Sequence, residues 1–389
     1  MMKATSGKLW IVAVAGLLLA GMLPALTFAQ FIITGNDNKA LVVDGKLVIR
    51  PEGRQSVSLI DISGRTPVVK VSLPILNSIF GPPTNLAISP DETLALVAEA
   101  VQLNEDASKF VPSNQVHVID LTANPPKEIE SITVGRQPSG MAIHPNGKMA
   151  LVANRAETSI SILSIQGKTV KYVGDVDTKD GVTHVVFTPD GKRALATKFT
   201  SNKVSLLEVD GMNVTYTGRD LPVGINPYNA DITPDGKLAI VANTGGGGRS
   251  DGNIDTVTLI DMEANPPRVI DHVVVGDAPE GIAISPTGKI AVTGNLNGSD
   301  APPDAFFYKP NGSITVLSIK GKKVTKLQEI TLGPITEALA FSPDGKWLFV
   351  GNLNHQDVSV LKVDGKRVTN TRKNISLPGR PGAMRGQTR

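Results

Sequence analysis

The stretch Asn229-Ala-Asp-Ile-Thr-Pro-Asp-Gly-Lys-Leu-Ala-Ile-Val-Ala-Asn243 decides how the rest of the sequence is interpreted. It predicts a strand, a tight turn and a second strand, because Pro234 presets φ at the start of the turn and Gly236 can adopt the positive φ that closes it. The stretch is therefore predicted to be a β-hairpin.

Six copies of this hairpin occur, and they align without gaps when the turn proline is used as the anchor. The anchors are separated by 55, 44, 45, 52 and 57 residues, at Pro90, Pro145, Pro189, Pro234, Pro286 and Pro343. A large apolar residue lies two positions before each anchor, and a small one usually lies three positions before it. A repeat of about 40 to 50 residues with several short strands is typical of a β-propeller blade.

The two ends of the chain supply a seventh blade. Residues 31–36 match the second strand of the hairpin, residues 55–62 and 68–73 match a third and a fourth strand, and residues 381–384 match a first strand without a second. The sequence therefore predicts an all-β, seven-bladed propeller of four-stranded antiparallel blades over residues 30–389, with a closing blade shared by both termini. A six-bladed propeller with a loose N-terminal strand set is the alternative.

Residues 1–29 have the pattern of a secretory signal peptide, with Lys3 and Lys8 before an apolar run and a cleavage point after Ala29. This predicts a periplasmic or secreted protein; an uncleaved membrane anchor is the alternative. Removing the leader leaves 37 basic and 36 acidic residues, a net charge of +1, which predicts no nucleic-acid partner. The chain has no cysteine, so neither disulfides nor covalent c-type haem are expected.

The segment Pro138-Ser-Gly-Met-Ala-Ile-His-Pro-Asn-Gly-Lys-Met-Ala-Leu-Val-Ala-Asn154, followed by Ser-Ile-Ser-Ile-Leu, resembles the YVTN repeat. That repeat belongs to seven-bladed propellers related to the lactonase-like, 6-phosphogluconolactonase-type group. The resemblance implies the propeller fold and, more weakly, hydrolysis of a lactone. Thr183-His184-Val-Val-Phe resembles the Arg-His-containing first strand of that group, with Thr183 in place of the arginine. His184 is therefore the candidate general base, and a hydrogen-bonded structural role is the alternative.

Nine residues after each anchor, and at the equivalent place in the closing blade, lies a residue predicted to stand at one mouth of the central channel. These residues are Asn36, Glu99, Asn154, Lys198, Asn243, Asn295 and Asn352. Asparagines around one rim can bind a polar ligand, whereas the alternative is that each one caps its own turn. Glu99 and Lys198 depart from the repeat and are the stronger candidates for specificity.

The first strands carry further candidates near the same mouth. These are Asn85, Tyr228 and Asn229 as ligand contacts and Glu280 and Glu337 as catalytic carboxyls. Asp231 and Arg385 replace the small residue of their register and are predicted to meet a partner or a ligand. For Asp231, a bond to the backbone of the neighbouring blade is the alternative.

Three long connections, 100–114, 244–253 and 296–311, are predicted to emerge beside this mouth. The last one contains Phe306, Phe307 and Tyr308, which are predicted to contact a partner or to fold back over a neighbouring blade. Asp251, Asn253 and Asp255 offer oxygen ligands at alternate positions, a weak Ca²⁺ signal for which turn chemistry is the alternative. The five histidines lack zinc-ligand spacing, and no cofactor is predicted.

Two functions fit these patterns. The favoured one is an exported, monomeric propeller that binds a small polar ligand or an extracytoplasmic protein without chemistry, because this needs no complete catalytic constellation. The alternative is a lactonase-like hydrolase or an isomerase acting on a lactone or sugar-derived substrate at the channel mouth.

Overall fold

The computed structural model describes Met1 and residues 30–64 and 66–387. The signal peptide predicted at residues 1–29 lies outside these described residues, apart from Met1. In the described part, seven four-stranded antiparallel sheets follow one another in a ring, because the innermost strand of each sheet contacts the innermost strand of the next. The all-β, seven-bladed prediction is confirmed.

Each blade runs from the channel outward in the order first, second, third and fourth strand. The N-terminal strands are β1 (Phe31–Asn36), β2 (Ala40–Val43), β3 (Lys46–Ile49), β4 (Ser56–Asp61) and β5 (Val68–Leu73). Blade 1 contains β6 (Leu86–Ile88), β7 (Leu94–Leu103), β8 (Phe110–Asp120) and β9 (Lys127–Thr133). Blade 2 contains β10 (Pro138–Ile143), β11 (Met149–Asn154), β12 (Ser159–Gln166) and β13 (Thr169–Asp177).

The remaining blades repeat this order. Blade 3 contains β14 (His184–Phe187), β15 (Arg193–Lys198), β16 (Lys203–Asp210) and β17 (Asn213–Pro222). Blade 4 contains β18 (Pro227–Ile232), β19 (Leu238–Asn243), β20 (Thr256–Asp261) and β21 (Arg268–Val274). Blade 5 contains β22 (Pro279–Ile284), β23 (Ile290–Asn295), β24 (Ser313–Lys320) and β25 (Lys323–Thr331). Blade 6 contains β26 (Thr336–Phe341), β27 (Trp347–Asn352), β28 (Asp357–Asp364) and β29 (Arg367–Ser376), with one 3₁₀ turn at Leu353–His355.

Blade 7 closes the ring by joining both ends of the chain. Its first strand is the C-terminal β30 (Pro381–Arg385), which pairs with β1 so that Ile33 faces Arg385 and Thr34 faces Met384. Strands β4 and β5 complete the sheet. The predicted sharing of this blade is confirmed, and the pairing leaves no open inner edge on the sheet.

The Pro-Asp-Gly turns have the backbone that the sequence predicts. Gly236 has φ 70° and Gly345 has φ 67°, values that glycine adopts without strain. In the turn of blade 4, the Asp235 carboxylate accepts hydrogen bonds from the Thr233 hydroxyl at 2.6 Å and from the Lys237 backbone at 3.2 Å. Every turn of this kind lies at the same end of the channel.

The hydrophobic core lies between the blades. Alternate residues of each strand face opposite sides of a blade, and the buried clusters combine side chains of two adjacent blades. Between blades 4 and 5, for example, Ile240 and Leu259 pack with Ile282 and Leu317. The blades therefore form a rigid scaffold around a central channel.

Two segments differ from the sequence prediction. Residues 100–114, expected as a loop, extend the paired strands β7 and β8, which stay in register from Val101 opposite Pro112 to Leu103 opposite Phe110. Strands β2 and β3, which were not predicted, form a separate two-stranded hairpin beyond blade 7. None of the helical segments in the described residues has the length and apolar character needed to cross a membrane.

Candidate functional site

The rim asparagines point into their own blades and not toward the mouth. Asn154 is buried, and its Nδ2 donates to Ser159 Oγ at 2.8 Å and to Ser161 Oγ at 2.9 Å on the third strand. The other four do the same with oxygens of their own third strands, namely Asn36, Asn243, Asn295 and Asn352. In place of the expected ligand contacts, the structure gives these asparagines the role of clamps between the second and third strands.

The two departures from asparagine, Glu99 and Lys198, also face into their blades. Lys198 is almost fully buried, and its Nζ lies 3.0 Å from the Asp220 carboxylate. Glu99 is buried too, and it accepts a hydrogen bond from Ser113 Oγ at 3.1 Å. Glu99 and Lys198 thus make charged contacts within their blades where the other blades use an asparagine. Their position does not support the specificity role expected for them.

His184 is fully buried in the wall of the channel. Its Nε2 lies 3.1 Å from the Ala230 carbonyl oxygen and its Nδ1 lies 2.9 Å from Thr84 Oγ1. Because a carbonyl oxygen can only accept, Nε2 carries the proton and Nδ1 accepts from the threonine. Burial and the charge of Arg385 lower the pKa of His184 to about 3. The imidazole therefore stays neutral and links blades 1, 3 and 4, so the structural alternative fits it better than catalysis.

A cavity of roughly 240 Å³ opens at the mouth where first strands begin and second strands end. Its polar wall is formed by Arg155, Tyr228, Arg249, Glu280, Asp300 and Glu337. Apolar side chains complete the wall, and two of them, Val42 and Leu47, come from the unpredicted β2–β3 hairpin. Convergent polar groups in an otherwise apolar, walled cavity are characteristic of small-molecule sites.

Arg155 is held on one side of the cavity by two aromatic rings. Its guanidinium carbon lies 5.6 Å from the ring centres of both Phe199 and Tyr228, which themselves pack 5.4 Å apart. A guanidinium over aromatic faces is stabilised by cation–π attraction and fixed in orientation. The arrangement presents a positioned positive charge to the cavity.

Glu280 and Glu337 are buried at the starts of β22 and β26 and are hydrogen-bonded to each other. Burial and the charge of nearby Asp300 raise the pKa of Glu280, Glu337 and Arg155 oppose the rise, and the net result is a pKa of about 7. Burial and the neighbouring Glu280 raise the pKa of Glu337 well above its usual range. The pair therefore shares one proton near neutral pH, with Glu337 as the donor and Glu280 as the acceptor.

The remaining first-strand candidates occupy other places. Asn85 is buried and donates to the Ser78 carbonyl, and Asn229 is buried beside Tyr228 in β18. Asp231 and Arg385 line the channel at the opposite mouth, where the Pro-Asp-Gly turns lie. Asp231 Oδ2 accepts a hydrogen bond of 2.7 Å from the Ile284 backbone in the next blade, which is the alternative stated for it above.

The long loops pack beside the mouth. Phe306 is 91% exposed, whereas Phe307 packs against Gly252 of the neighbouring loop, so the aromatic cluster both projects and folds back. For the weak Ca²⁺ candidates, Asp251 Oδ1 accepts from the Asn253 backbone, which is a turn contact. Asp255 Oδ2 accepts from the backbone of Ala278, the residue before β22. Among the residues that the structure describes, no group of three potential metal-binding side chains converges.

A larger hollow at the opposite face is not the better candidate. It measures about 670 Å³ and lies outside the channel, between the turns at Asp190 and Asp235. These turns repeat from blade to blade and offer little chemical distinction. The mouth cavity is smaller, but it alone combines the buried Glu280–Glu337 pair with an oriented arginine, and we take it as the candidate site.

The sequence profile of the family described as "Lactonase, 7-bladed beta-propeller" matches residues 94–226. The chain is a seven-bladed β-propeller that is similar to this family over those residues. No protein with a curated description matches it.

Solved structures share the fold of this seven-bladed propeller. A periplasmic gluconolactonase from Pseudomonas aeruginosa superposes with a TM-score of 0.64 at 16% identity, covering 92% of this chain and 99% of that one. A functionally unknown protein from Desulfotomaculum acetoxidans gives 0.68 at 15% identity, with coverage of 92% and 99%. Hydrazine synthase from Kuenenia stuttgartiensis gives 0.58 at 20% identity, with coverage of 74% and 79%. Such low identities establish a common fold and nothing more.

Sequence reasoning missed Arg155, Phe199 and the β2–β3 hairpin. Arg155 and Phe199 each follow a rim residue directly, at Asn154 and Lys198. Neighbouring residues at a strand end face opposite ways. Because the rim residue faces into its blade, the residue after it faces the mouth, and this register is the signal that could have identified Arg155 and Phe199.

Proposed function

We propose that the lactonase-like propeller binds a small cyclic ester in the mouth cavity and opens its ring by hydrolysis. The observation that carries this proposal is the buried, hydrogen-bonded pair of Glu280 and Glu337 beside the oriented guanidinium of Arg155. Two carboxyls whose pKa values are pushed apart supply a base and an acid at the same pH.

The roles follow from the protonation of the pair. Ionised Glu280 accepts a proton from water as the water oxygen bonds to the ester carbonyl carbon. Arg155 stabilises the negative charge that develops on the carbonyl oxygen. Protonated Glu337 then donates its proton to the ring oxygen as the bond from that oxygen to the carbonyl carbon breaks. The product is an open-chain hydroxy acid, and the proton taken up by Glu280 restores the pair by exchange with its partner or solvent.

The cavity restricts the substrate. Its volume of roughly 240 Å³ suits a molecule of monosaccharide size. With Glu337 protonated, the polar wall carries two carboxylates, Glu280 and Asp300, against two arginines. It therefore has no excess positive charge for a phosphate group, and the site favours an uncharged lactone over a phosphorylated one.

The test is hydrolysis of unphosphorylated aldonolactones by the purified protein, followed by acid release at constant pH and corrected for spontaneous hydrolysis. Wild type is expected to accelerate the reaction, and Glu280→Gln is expected to lower the rate by about 100-fold or more. Glu263→Gln, at an exposed glutamate outside the cavity, is the control and is expected to match wild type. Equal rates for wild type and Glu280→Gln, or no acceleration of any lactone, would overturn the proposal.

Binding without chemistry is a second candidate, favoured by the exposure of Phe306 beside the mouth. Under this function a ligand or an extracytoplasmic protein is held by the loops around the cavity. Phe306→Ala is then expected to weaken complex formation while Glu280→Gln leaves it unchanged. The reverse pattern favours the hydrolase.

We also propose that the chain is exported as a monomer after cleavage following Ala29, into the periplasm or the medium. The support is the basic start and the apolar run of residues 1–29. N-terminal sequencing of the protein from the extracytoplasmic fraction is expected to begin at Gln30. A retained leader in the membrane fraction supports the anchor instead.

A further inference from the structure

The end of the channel opposite the mouth cavity carries a ring made of one residue from each innermost strand. All seven occupy the same register of their strands and line one cavity, and they are Ala87, Ala142, Val186, Asp231, Ala283, Ala340 and Arg385. Five members are small and apolar, one is acidic and one is basic. Small apolar residues at this position are sufficient to build a blade. The building of blades therefore does not explain why an acidic and a basic residue line the same cavity.

Asp231 and Arg385 stand on opposite sides of this ring, because β18 of blade 4 and β30 of blade 7 are three blades apart. No ion pair within 4.0 Å joins the two side chains. Asp231 accepts backbone hydrogen bonds from Ile232 at 2.9 Å and Ile284 at 2.7 Å. The Arg385 guanidinium donates to no acceptor among the described residues, although it is half-buried.

The two charges act on each other across the gap. Burial raises the pKa of Asp231 and the positive charge of Arg385 opposes the rise. Burial also lowers the pKa of Arg385, and the charge of Asp231 opposes that change. Two partly desolvated opposite charges that do not meet are poorly compensated, so a molecule between them that satisfies both gains charge-assisted hydrogen bonds.

The cavity around the ring measures about 360 Å³ and has apolar walls. Phe187 and Phe341, on different blades, and Ile232 and Ile284 line it. The small alanines of the ring leave the space in which a ligand can lie. A suitable ligand therefore carries an anionic group, a cationic group and an apolar body.

We propose that this cavity binds a small zwitterion with an apolar side chain, of the class of the apolar α-amino acids, through Arg385 and Asp231. The ligand carboxylate pairs with Arg385, the ammonium group pairs with Asp231, and the side chain packs against Phe187 and Phe341. The site is separate from the mouth cavity, because the two cavities have no lining residue in common.

The test compares L-leucine with two analogues of the same apolar body by calorimetric titration of the purified protein. 4-Methylpentanoate lacks the ammonium group and 3-methylbutylamine lacks the carboxylate. Leucine is expected to bind, and each analogue is expected to bind roughly tenfold or more weakly, since each loses one charged contact.

Variants locate the site. Arg385→Gln is expected to weaken leucine binding by about tenfold or more. The unfolding temperature of this variant is expected to stay close to that of wild type, because Arg385 has no described acceptor. Asp231→Asn is expected to weaken leucine binding while weakening 4-methylpentanoate binding little. Lys237→Ala removes one positive charge from an exposed turn on the same face and is expected to bind leucine like wild type. The proposal is overturned if leucine does not bind, if 4-methylpentanoate binds as tightly as leucine, or if Arg385→Gln retains full affinity.

Discussion

Arg155 and Tyr228 meet at the mouth of the channel, with the guanidinium carbon 5.6 Å from the centre of the Tyr228 ring. The contact joins the end of the second strand of blade 2 to the first strand of blade 4, and Arg155 also packs on Phe199, which follows the second strand of blade 3. Three blades therefore cooperate to aim one positive charge at the carboxyl pair. No single repeat contains this site, which exists only because the ring closes.

The first prediction concerns this contact. Arg155→Lys keeps the charge but loses the planar group that stacks on Phe199 and Tyr228. If Arg155 stabilises the oxyanion, kcat for lactone hydrolysis falls by about 10- to 100-fold with a smaller change in KM. Steady-state kinetics measure the split. A change confined to KM would place Arg155 in ground-state binding instead.

The second prediction concerns the closing blade. Met384 is fully buried in β30 among Ile32, Ile60 and Phe349, which belong to blades 7 and 6. Met384→Ala is expected to lower the free energy of unfolding by about 2–5 kcal/mol. Met212 is exposed in blade 3, and Met212→Ala is expected to change it by less than about 0.5 kcal/mol. Denaturant unfolding that gives the same small change in free energy for both variants would contradict the closure of blade 7 by β30.

The third prediction concerns the repeated turns. Gly236 has φ 70°, a conformation that a β-branched residue resists, so Gly236→Val is expected to cost about 1–3 kcal/mol. The next residue, Lys237, is exposed, and Lys237→Ala is expected to have little effect. Chemical denaturation of the two variants side by side provides the measurement. Equal midpoints would show that the turn conformation has been assigned wrongly.

The fourth prediction concerns the dependence of stability on pH. Burial, together with the charges of Asp277 and Asp251, raises the pKa of Asp255 to about 6. The folded state thus holds this proton more tightly than the unfolded state, and stability is lost as pH rises from about 4 through about 6. Asp255→Asn is expected to raise the melting temperature by about 1–3 °C at pH 7.5, with a smaller gain at pH 4.5.

A contrasting carboxylate serves as the control for that prediction. Burial favours a higher pKa for Asp120, but hydrogen bonds from Lys168 and Thr122 outweigh burial and lower the pKa to about 2. Its contribution is present above about pH 4 and is lost as pH falls toward 2. Asp120→Asn is therefore expected to lower the melting temperature at pH 7.5, whereas Asp255→Asn is expected to raise it. Thermal denaturation in which both variants shift the melting temperature in the same direction would contradict the prediction.

The fold was predictable because the repeat recurs six times and the missing strands could be assigned to the chain ends. The direction of individual side chains was less predictable. The rim register at Asn154 and Lys198 was identified correctly as lying at the mouth. However, the Asn154 side chain contacts the third strand of its blade and the Lys198 side chain contacts Asp220 on the fourth, and only the three-dimensional pairing shows this.

The sequence contains a signal for the β2–β3 hairpin that the repeat-based prediction did not use. Asp44-Gly45 lies between two short apolar runs, and the two residues have φ values of 49° and 72°, as expected for a tight two-residue turn. Its contact with the cavity depends on how it folds beyond blade 7. The repeat pattern carries no information about that packing, because the hairpin is an insertion.

The pairing of Glu280 with Glu337 likewise depends on tertiary structure. Both glutamates lie six residues before a turn proline and were predicted as catalytic candidates. Their hydrogen bond and the resulting pKa shifts depend on burial between adjacent blades. Asp231 and Arg385 were singled out for the same reason, as departures from the repeat, and the structure places them in a different cavity.

The account is tested most directly by the pH dependence of kcat/KM for hydrolysis of an unphosphorylated lactone, measured for wild type and Glu280→Gln. Glu280 must be ionised and Glu337 protonated, so the wild-type rate is expected to rise through a pH of about 7 and to fall at higher pH as Glu337 loses its proton. Glu280→Gln is expected to lose the rising limb together with most of the rate. A wild-type profile that simply follows hydroxide concentration, and that Glu280→Gln reproduces, would contradict the account.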